Sequence, residues 1–180
     1  MEIGTPVARY LGEDDRDALA SFRCSTGAWF EDEVESFVAT QLLRRHAARR
    51  LHTRHTVIGL EAESGELVAV GAHEEDLLHD GDSPFTSTFL VVAAVAVEAQ
   101  GGTLPDVEPL DEGRLVSVGR YLLEVLMSDA DAAAREPVFR AVVAKDNVRS
   151  LALCTRVGLT RVLADRDPRF EQRLGVVRQG

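Results

Sequence analysis

The chain has 180 residues, 45% of them hydrophobic and 28% charged, which is enough apolar content for one sizeable buried core. Its net charge of −10 argues against a general nucleic-acid binder, because phosphate binding needs a positive field, but leaves room for a local basic face. No apolar run is long enough to cross a bilayer, and residues 1–6 carry neither a basic n-region nor an apolar h-region. A single cytoplasmic domain over residues 1–180, without membrane contact, is expected. Cys24 and Cys154 stand in no metal-like spacing and are expected to be free thiols.

Residues 7–11 read as a first strand, and the acidic run Glu13, Asp14, Asp15 then suits a helix N-terminus. A helix over 15–22 would place Ala18, Leu19 and Phe22 together, with a loop over 24–27. A second helix, from Glu31 to about Arg50, has Val34, Phe37, Val38, Leu42 and Leu43 at the helical period. Strands over 56–63 and 66–73 are joined by the hairpin signal Ser64-Gly65. After a polar loop around 80–84, residues 86–98 form the longest strand. Its near-continuous apolar content marks a central strand covered on both faces.

A loop over 101–112 leads to a helix over 117–131 with Leu122, Val125 and Leu126 in the core. A β-branched strand over 138–144, a helix over 147–157 ended by Gly158, and strands over 160–165 and 170–177 complete the chain. The expected fold is α/β with a mixed sheet.

Two segments carry chemical information. Arg114, Leu115, Val116, Ser117, Val118 and Gly119 lie between the buried strand and an amphipathic helix. Such a small-residue loop at a helix N-terminus directs backbone N–H groups and the helix dipole at an anion, with Arg114 and Arg120 able to add charge-assisted contacts. It is equally the ordinary start of a helix. In the second segment, Asn147, Ser150 and Cys154 fall at i, i+3 and i+7 and share a helical face that needs a loop or a ligand as partner.

Together these segments resemble the GNAT N-acetyltransferase superfamily. The order is Val95-Ala96-Val97 ending a strand, then Arg114-x-x-Ser117-x-Gly119, then Asn147-x-x-Ser150-x-x-Leu153-Cys154-x-x-x-Gly158-Leu159, and the match spans residues 86–159. The resemblance implies a GNAT-like, mostly antiparallel mixed sheet flanked by helices, with acetyl-CoA as co-substrate. It implies that the amides from Arg114 to Gly119 cradle the coenzyme pyrophosphate, that Val95 and Val97 pair with the pantetheine amides, and that Asn147 lies near the pantetheine arm.

Three departures from the family pattern bear on activity. Ser117 replaces the middle glycine, which would cost about 1–2 kcal/mol if that position required φ > 0. Cys154 stands where the family tyrosine protonates the departing thiolate. A thiol can in principle donate that proton, while the commoner fate of a free cysteine is a small core residue. The strand 89–97 carries no carboxylate or histidine, which leaves Glu98 at its end as the nearest general base, with an exposed strand-end glutamate as the bland alternative. Two readings follow: an N-acyltransferase acting on an amine by direct attack, or a catalytically impaired acyl-CoA-binding or protein-interaction module.

The segment from Arg44 to His55 is strongly basic. Contact with tRNA through Arg44–Arg54, as in some toxin-type GNAT proteins, competes with the more ordinary reading of a solvated helix end. His73, Glu74, Glu75, Asp76, His79, Asp80 and Asp82 match no standard metal spacing and suggest a hydrated loop. Trp29 suits a packing anchor or an acceptor cleft, and the apolar central strand is compatible with a homodimer through a sheet edge.

Overall fold

The computed structural model describes residues 4–44, 55–80, 83–104, 116–131 and 138–176. Among the described residues, nine strands run in chain order: β1 (Val7–Tyr10), β2 (His55–Glu61), β3 (Leu67–Asp80), β4 (Ser83–Val95), β5 (Thr103–Leu104), β6 (Val116–Ser117), β7 (Val138–Ala144), β8 (Arg161–Ala164) and β9 (Phe170–Val176). The helices are α1 (Arg16–Ser21), α2 (Trp29–Thr40), α3 (Val118–Asp131) and α4 (Val148–Arg156). Seven strands form one sheet in the order β1-β2-β3-β4-β7-β9-β8, and β5 pairs with β6 apart from it. Every neighbour in the large sheet is antiparallel except β4 and β7, which run parallel.

The β3–β4 hairpin is longer than its sequence suggests. Pairing continues to Asp80↔Ser83, so the acidic stretch expected as a loop belongs to β3. Three of its side chains meet partners from neighbouring strands and helices. Glu74 is buried beside His55 at 3.1 Å, His73 Nε2 lies 2.7 Å from Asp129, and Asp76 pairs with Arg140. His55 is therefore inside the protein and not on a basic surface. Residues 45–54, with the rest of the basic segment, lie outside the described residues.

Strand alternation sorts the core into two layers. Leu122 and Leu126 of α3 and Cys154 of α4 pack on one face with Phe139, Ala141 and Val143 of β7. Leu19 of α1 and Val38 of α2 pack on the other with Val57, Val70 and Ala72. Ala18, expected beside Leu19, is exposed, because the short α1 turns only one flank inward. Gly71 admits α3 against the sheet: a Cβ there would lie 2.5 Å from Leu126.

β4 crosses between the layers. In its register with β3, His73 faces Leu90 and Ala72 faces Val92, so Val91 is an extra residue in β4. A bulge of one residue inverts the inward face of everything beyond it. Leu90 accordingly packs on the α3–α4 face, whereas Val92 and Ala94 pack on the α1–α2 face.

The α4 C-terminus is fixed by a Schellman turn. Leu159 N–H donates to Cys154 O at 2.8 Å and Gly158 N–H to Thr155 O at 3.2 Å, with Gly158 at φ +92°. Among the described residues, no helix is long and apolar enough to cross a membrane.

Candidate functional site

The site begins where two parallel neighbours part. β4 and β7 pair only over Thr88↔Phe139, Phe89↔Arg140 and Leu90↔Ala141, although β4 continues to Val95 and β7 to Ala144. Beyond Leu90 the two strands diverge, and the bulge at Val91 coincides with the start of the gap.

The direction of the free peptide groups follows from one hydrogen bond. Ala96 N–H donates to Val68 O at 2.9 Å, so Ala96 and, by alternation, Ala94 direct their peptide groups at β3. Val95 and Ala93 then turn theirs to the opposite edge, the one facing β7. Ala93 is exposed although it lies in the middle strand of the sheet. An open peptide edge in such a place has the hydrogen-bonding groups that suit an extended, amide-bearing ligand.

The α3 N-terminus adjoins this edge. A Cβ on Gly119 would stand 3.5 Å from Val95 Cγ2 and 3.5 Å from Leu153 Cδ2, which brings β4, α3 and α4 together around one small residue. Gly119 is not at positive φ, so its use is space and not backbone freedom. Ser117 is not at positive φ either, and the strain conditional on that conformation does not arise.

Ser117 instead caps the helix. Its Oγ accepts the Arg120 N–H at 3.3 Å, and Val118 N–H reaches Gly102 O at 3.4 Å. Gly119 N–H has no acceptor among the described residues, and it sits at the positive end of the α3 dipole. The Arg120 guanidinium lies 2.7 Å from Glu124 one turn along the helix. Val116 and Val118 are buried, and Arg114 and Leu115 lie outside the described residues.

The other residues of the motifs take different places. Val97 lies beyond the end of β4 and its N–H donates to Arg23 O at 2.9 Å. Asn147 is the N-cap of α4, its Oδ1 accepting the Ser150 N–H at 3.0 Å, and is half-buried. Cys154 is buried in the α3–α4 core layer, where burial pushes its thiol pKa up. The helical face shared by Asn147, Ser150 and Cys154 thus runs from a cap into the core. Glu98 is exposed in a short turn over Val97–Ala99, immediately past β4.

Ala93 and Gln100 join the site without being singled out by the sequence motifs. Ala93 is legible by stepping back two positions from Val95. Gln100 carries no sequence signal, since only the tertiary structure brings its side chain back onto Val95 O at 3.3 Å.

Trp29 packs edge-on against Phe170, with ring centroids 5.6 Å apart, and its Nε1 lies 3.5 Å from Asp146. The segment from Arg23 to Trp29 therefore meets Val97 and Gln100, just past β4, with its first residues, and Asp146, just past β7, and Phe170 of β9 with its last. It spans the diverging strands on the α1–α2 side.

No protein-family model matches the chain, and no curated protein does. Solved structures do match it. A tyrosine-to-phenylalanine mutant of the AtaT toxin, bound to the C-terminus of the antitoxin AtaR and to acetyl-CoA, is 13% identical with a TM-score of 0.56, covering 92% of this chain and 91% of that one. A tyrosine-to-phenylalanine mutant of KacT is 13% identical with a TM-score of 0.59, covering 94% and 95%. A protein from Desulfovibrio desulfuricans described as a GNAT-family acetyltransferase is 14% identical with a TM-score of 0.56, covering 94% and 96%. At such identities the likeness establishes architecture, and it agrees with the mostly antiparallel seven-stranded sheet, its one parallel pair and the flanking helices. The chain has the fold of the GNAT acetyltransferases.

Proposed function

We propose that this chain binds acetyl-CoA and transfers its acetyl group to an amine. The observation that carries the reading is the peptide edge of Ala93 and the Val95 N–H, unpaired with β7, beside the first turn of α3, where Gly119 N–H has no acceptor among the described residues. The pantetheine arm, with its two amides, is the extended ligand that such an edge suits. The pyrophosphate suits the helix N-terminus, where Gly119 N–H has no acceptor among the described residues and the missing side chain admits close approach. AtaT, a protein of the same fold, has acetyl-CoA bound in its structure, which supports acetyl-CoA as the ligand. Arg114 and Leu115 complete the cradle in this proposal, with Arg120 and Asn147 at its sides.

The reaction is direct attack. The amine nitrogen bonds to the thioester carbonyl carbon, the carbon–sulfur bond breaks, and the coenzyme leaves as its thiol. Glu98 takes the proton of the amine through water, and the departing thiolate receives one from solvent. Holding the two reactants together supplies most of the rate. Cys154, buried and with a raised pKa, serves in this reading as packing. That same burial, with a β4 edge that carries no ionisable group from Ala93 to Val95, favours a second reading: a domain that binds the acyl-coenzyme without turning it over.

Calorimetric titration with acetyl-CoA tests the first claim, and absence of heat at sub-millimolar coenzyme sinks it. Thiol release accelerated by added amines separates transferase from binding module. A Cys154→Ala variant is expected to keep wild-type transfer, and loss of transfer with intact folding would return Cys154 to the role of acid.

A further inference from the structure

We propose that Glu35 and Gln100 are positioning residues that hold the end of the open β4 edge beside Gly119 in register; this rests on the acetyl-transfer reading. The connection runs through five hydrogen bonds. Glu35 Oε2 accepts the backbone N–H groups of Cys24 at 2.8 Å and Ser25 at 3.0 Å. The segment so anchored offers two carbonyls: Arg23 O receives Val97 N–H at 2.9 Å, and Cys24 O receives Gln100 Nε2 at 2.7 Å. The same Nε2 donates to Val95 O at 3.3 Å.

Both partners of the Gln100 nitrogen are carbonyl oxygens, which fixes the orientation of the carboxamide, since only its NH₂ end can face them. A carboxylate on α2 thereby reaches the last peptide of the open edge without touching it. The chemistry calls for such a device. Val95 is the final residue of β4, and beyond Leu90 no neighbour pairs with the edge from the β7 side among the described residues. Its end is fixed only by β3 and by what folds back on it.

The neighbouring carboxylates share the task of anchoring the segment. Glu31 accepts Thr26 N–H and its hydroxyl, each at 2.7 Å, and Asp32 accepts the Ser25 hydroxyl at 2.5 Å. The acids that open α2 are thus engaged with the chain that crosses the gap. Gln100 is the member of this set that acts on β4 through both of its contacts, directly at Val95 and through the segment that holds Val97.

The test uses the full chain and the variants Gln100→Met, Glu35→Ala and Glu35→Gln. Hydrogen exchange at the Val97 amide is read without coenzyme, and calorimetry compares acetyl-CoA with free CoA. In Gln100→Met and Glu35→Ala, the Val97 amide is expected to exchange about tenfold faster, the change that one net hydrogen bond produces. Affinity for acetyl-CoA and for free CoA is expected to fall alike, severalfold, because both carry the same pantetheine arm past this end of the edge. Glu35→Gln restores both, since an amide oxygen accepts the same two N–H groups. Unchanged Val97 exchange in both disruptive variants overturns the proposal, as does a loss confined to acetyl-CoA, or Glu35→Gln behaving like Glu35→Ala. Failure of the wild-type chain to bind either coenzyme would bring down the acetyl-transfer reading and, with it, the positioning role of Glu35 and Gln100; that failure is visible separately from the exchange data.

Discussion

Gly119 offers the sharpest test of where the coenzyme lies, because the structure separates a small substitution from a large one. A Cβ at this position meets Val95 Cγ2 and Leu153 Cδ2 at 3.5 Å each, ordinary van der Waals distance. Alanine therefore fits without displacing either neighbour. It also removes a helical glycine, a change that stabilises by about 0.5–1 kcal/mol, or roughly 1–4 °C for a chain of this size. Tryptophan cannot stop at Cβ, and its indole must project into the mouth between the end of β4 and α4. Gly119→Trp is expected to abolish the heat of acetyl-CoA binding while retaining a cooperative melt, and Gly119→Ala to bind within severalfold of wild type. Calorimetry with parallel thermal melts reads both. A folded Gly119→Trp with wild-type affinity would show that the pyrophosphate lies elsewhere. A Gly119→Ala melting several degrees low would show that the space around Gly119 is misjudged.

Three further outcomes are expected. Ser117→Ala removes the α3 cap and should cost about 1 kcal/mol, whereas Ser117→Gly should cost only a few tenths; equal losses in urea melts would argue against the Ser117 Oγ bond. Gly175→Ala puts a Cβ 2.1 Å from the Gly158 carbonyl oxygen, a backbone atom that cannot yield, and should cost about 2 kcal/mol or more, a fall in Tm of roughly 4–8 °C; an unchanged melt would refute the close approach of β9 to the α4 C-terminus. The Glu35 carboxyl is held below its ordinary pKa by the backbone N–H groups of Ser25 and Cys24, so it binds its proton more weakly folded than unfolded. Its contribution is complete above the ordinary carboxylate pKa and is lost as pH falls through the depressed folded value. Stability should therefore drop in acid less steeply for Glu35→Gln than for wild type, and parallel acid limbs in melts from neutral to low pH would contradict this.

The elements themselves are largely legible in the sequence. Helical periodicity locates α3 and α4 within a residue or so, and the β-branched run of β7 marks its full length, Val138–Ala144. Ser64-Gly65 marks the β2–β3 turn. The far end of the β3–β4 hairpin is not legible, because its charged residues read locally as a loop. Their partners, His55, Asp129 and Arg140, come from distant segments that only the fold assembles. Within the site, the small residue Gly119 and the strand end at Val95 are visible from their order. Val97 reads as part of the open edge, and the tertiary structure instead commits its N–H to Arg23.

What the sequence by itself determined is the order of strands and helices and the small-residue start of α3, because both are written in local periodicity and residue size. What only the tertiary structure decided is the opening between β4 and β7. A single extra residue at Val91 reverses the facing of the strand, pairing with β7 stops at Leu90, and a side chain five residues past Val95 returns to hold its carbonyl. None of these has a local signature, since each depends on the register of one strand against another. The peptide edge proposed to receive the coenzyme exists because two strands part, and strand divergence is a property of pairing that no single segment encodes.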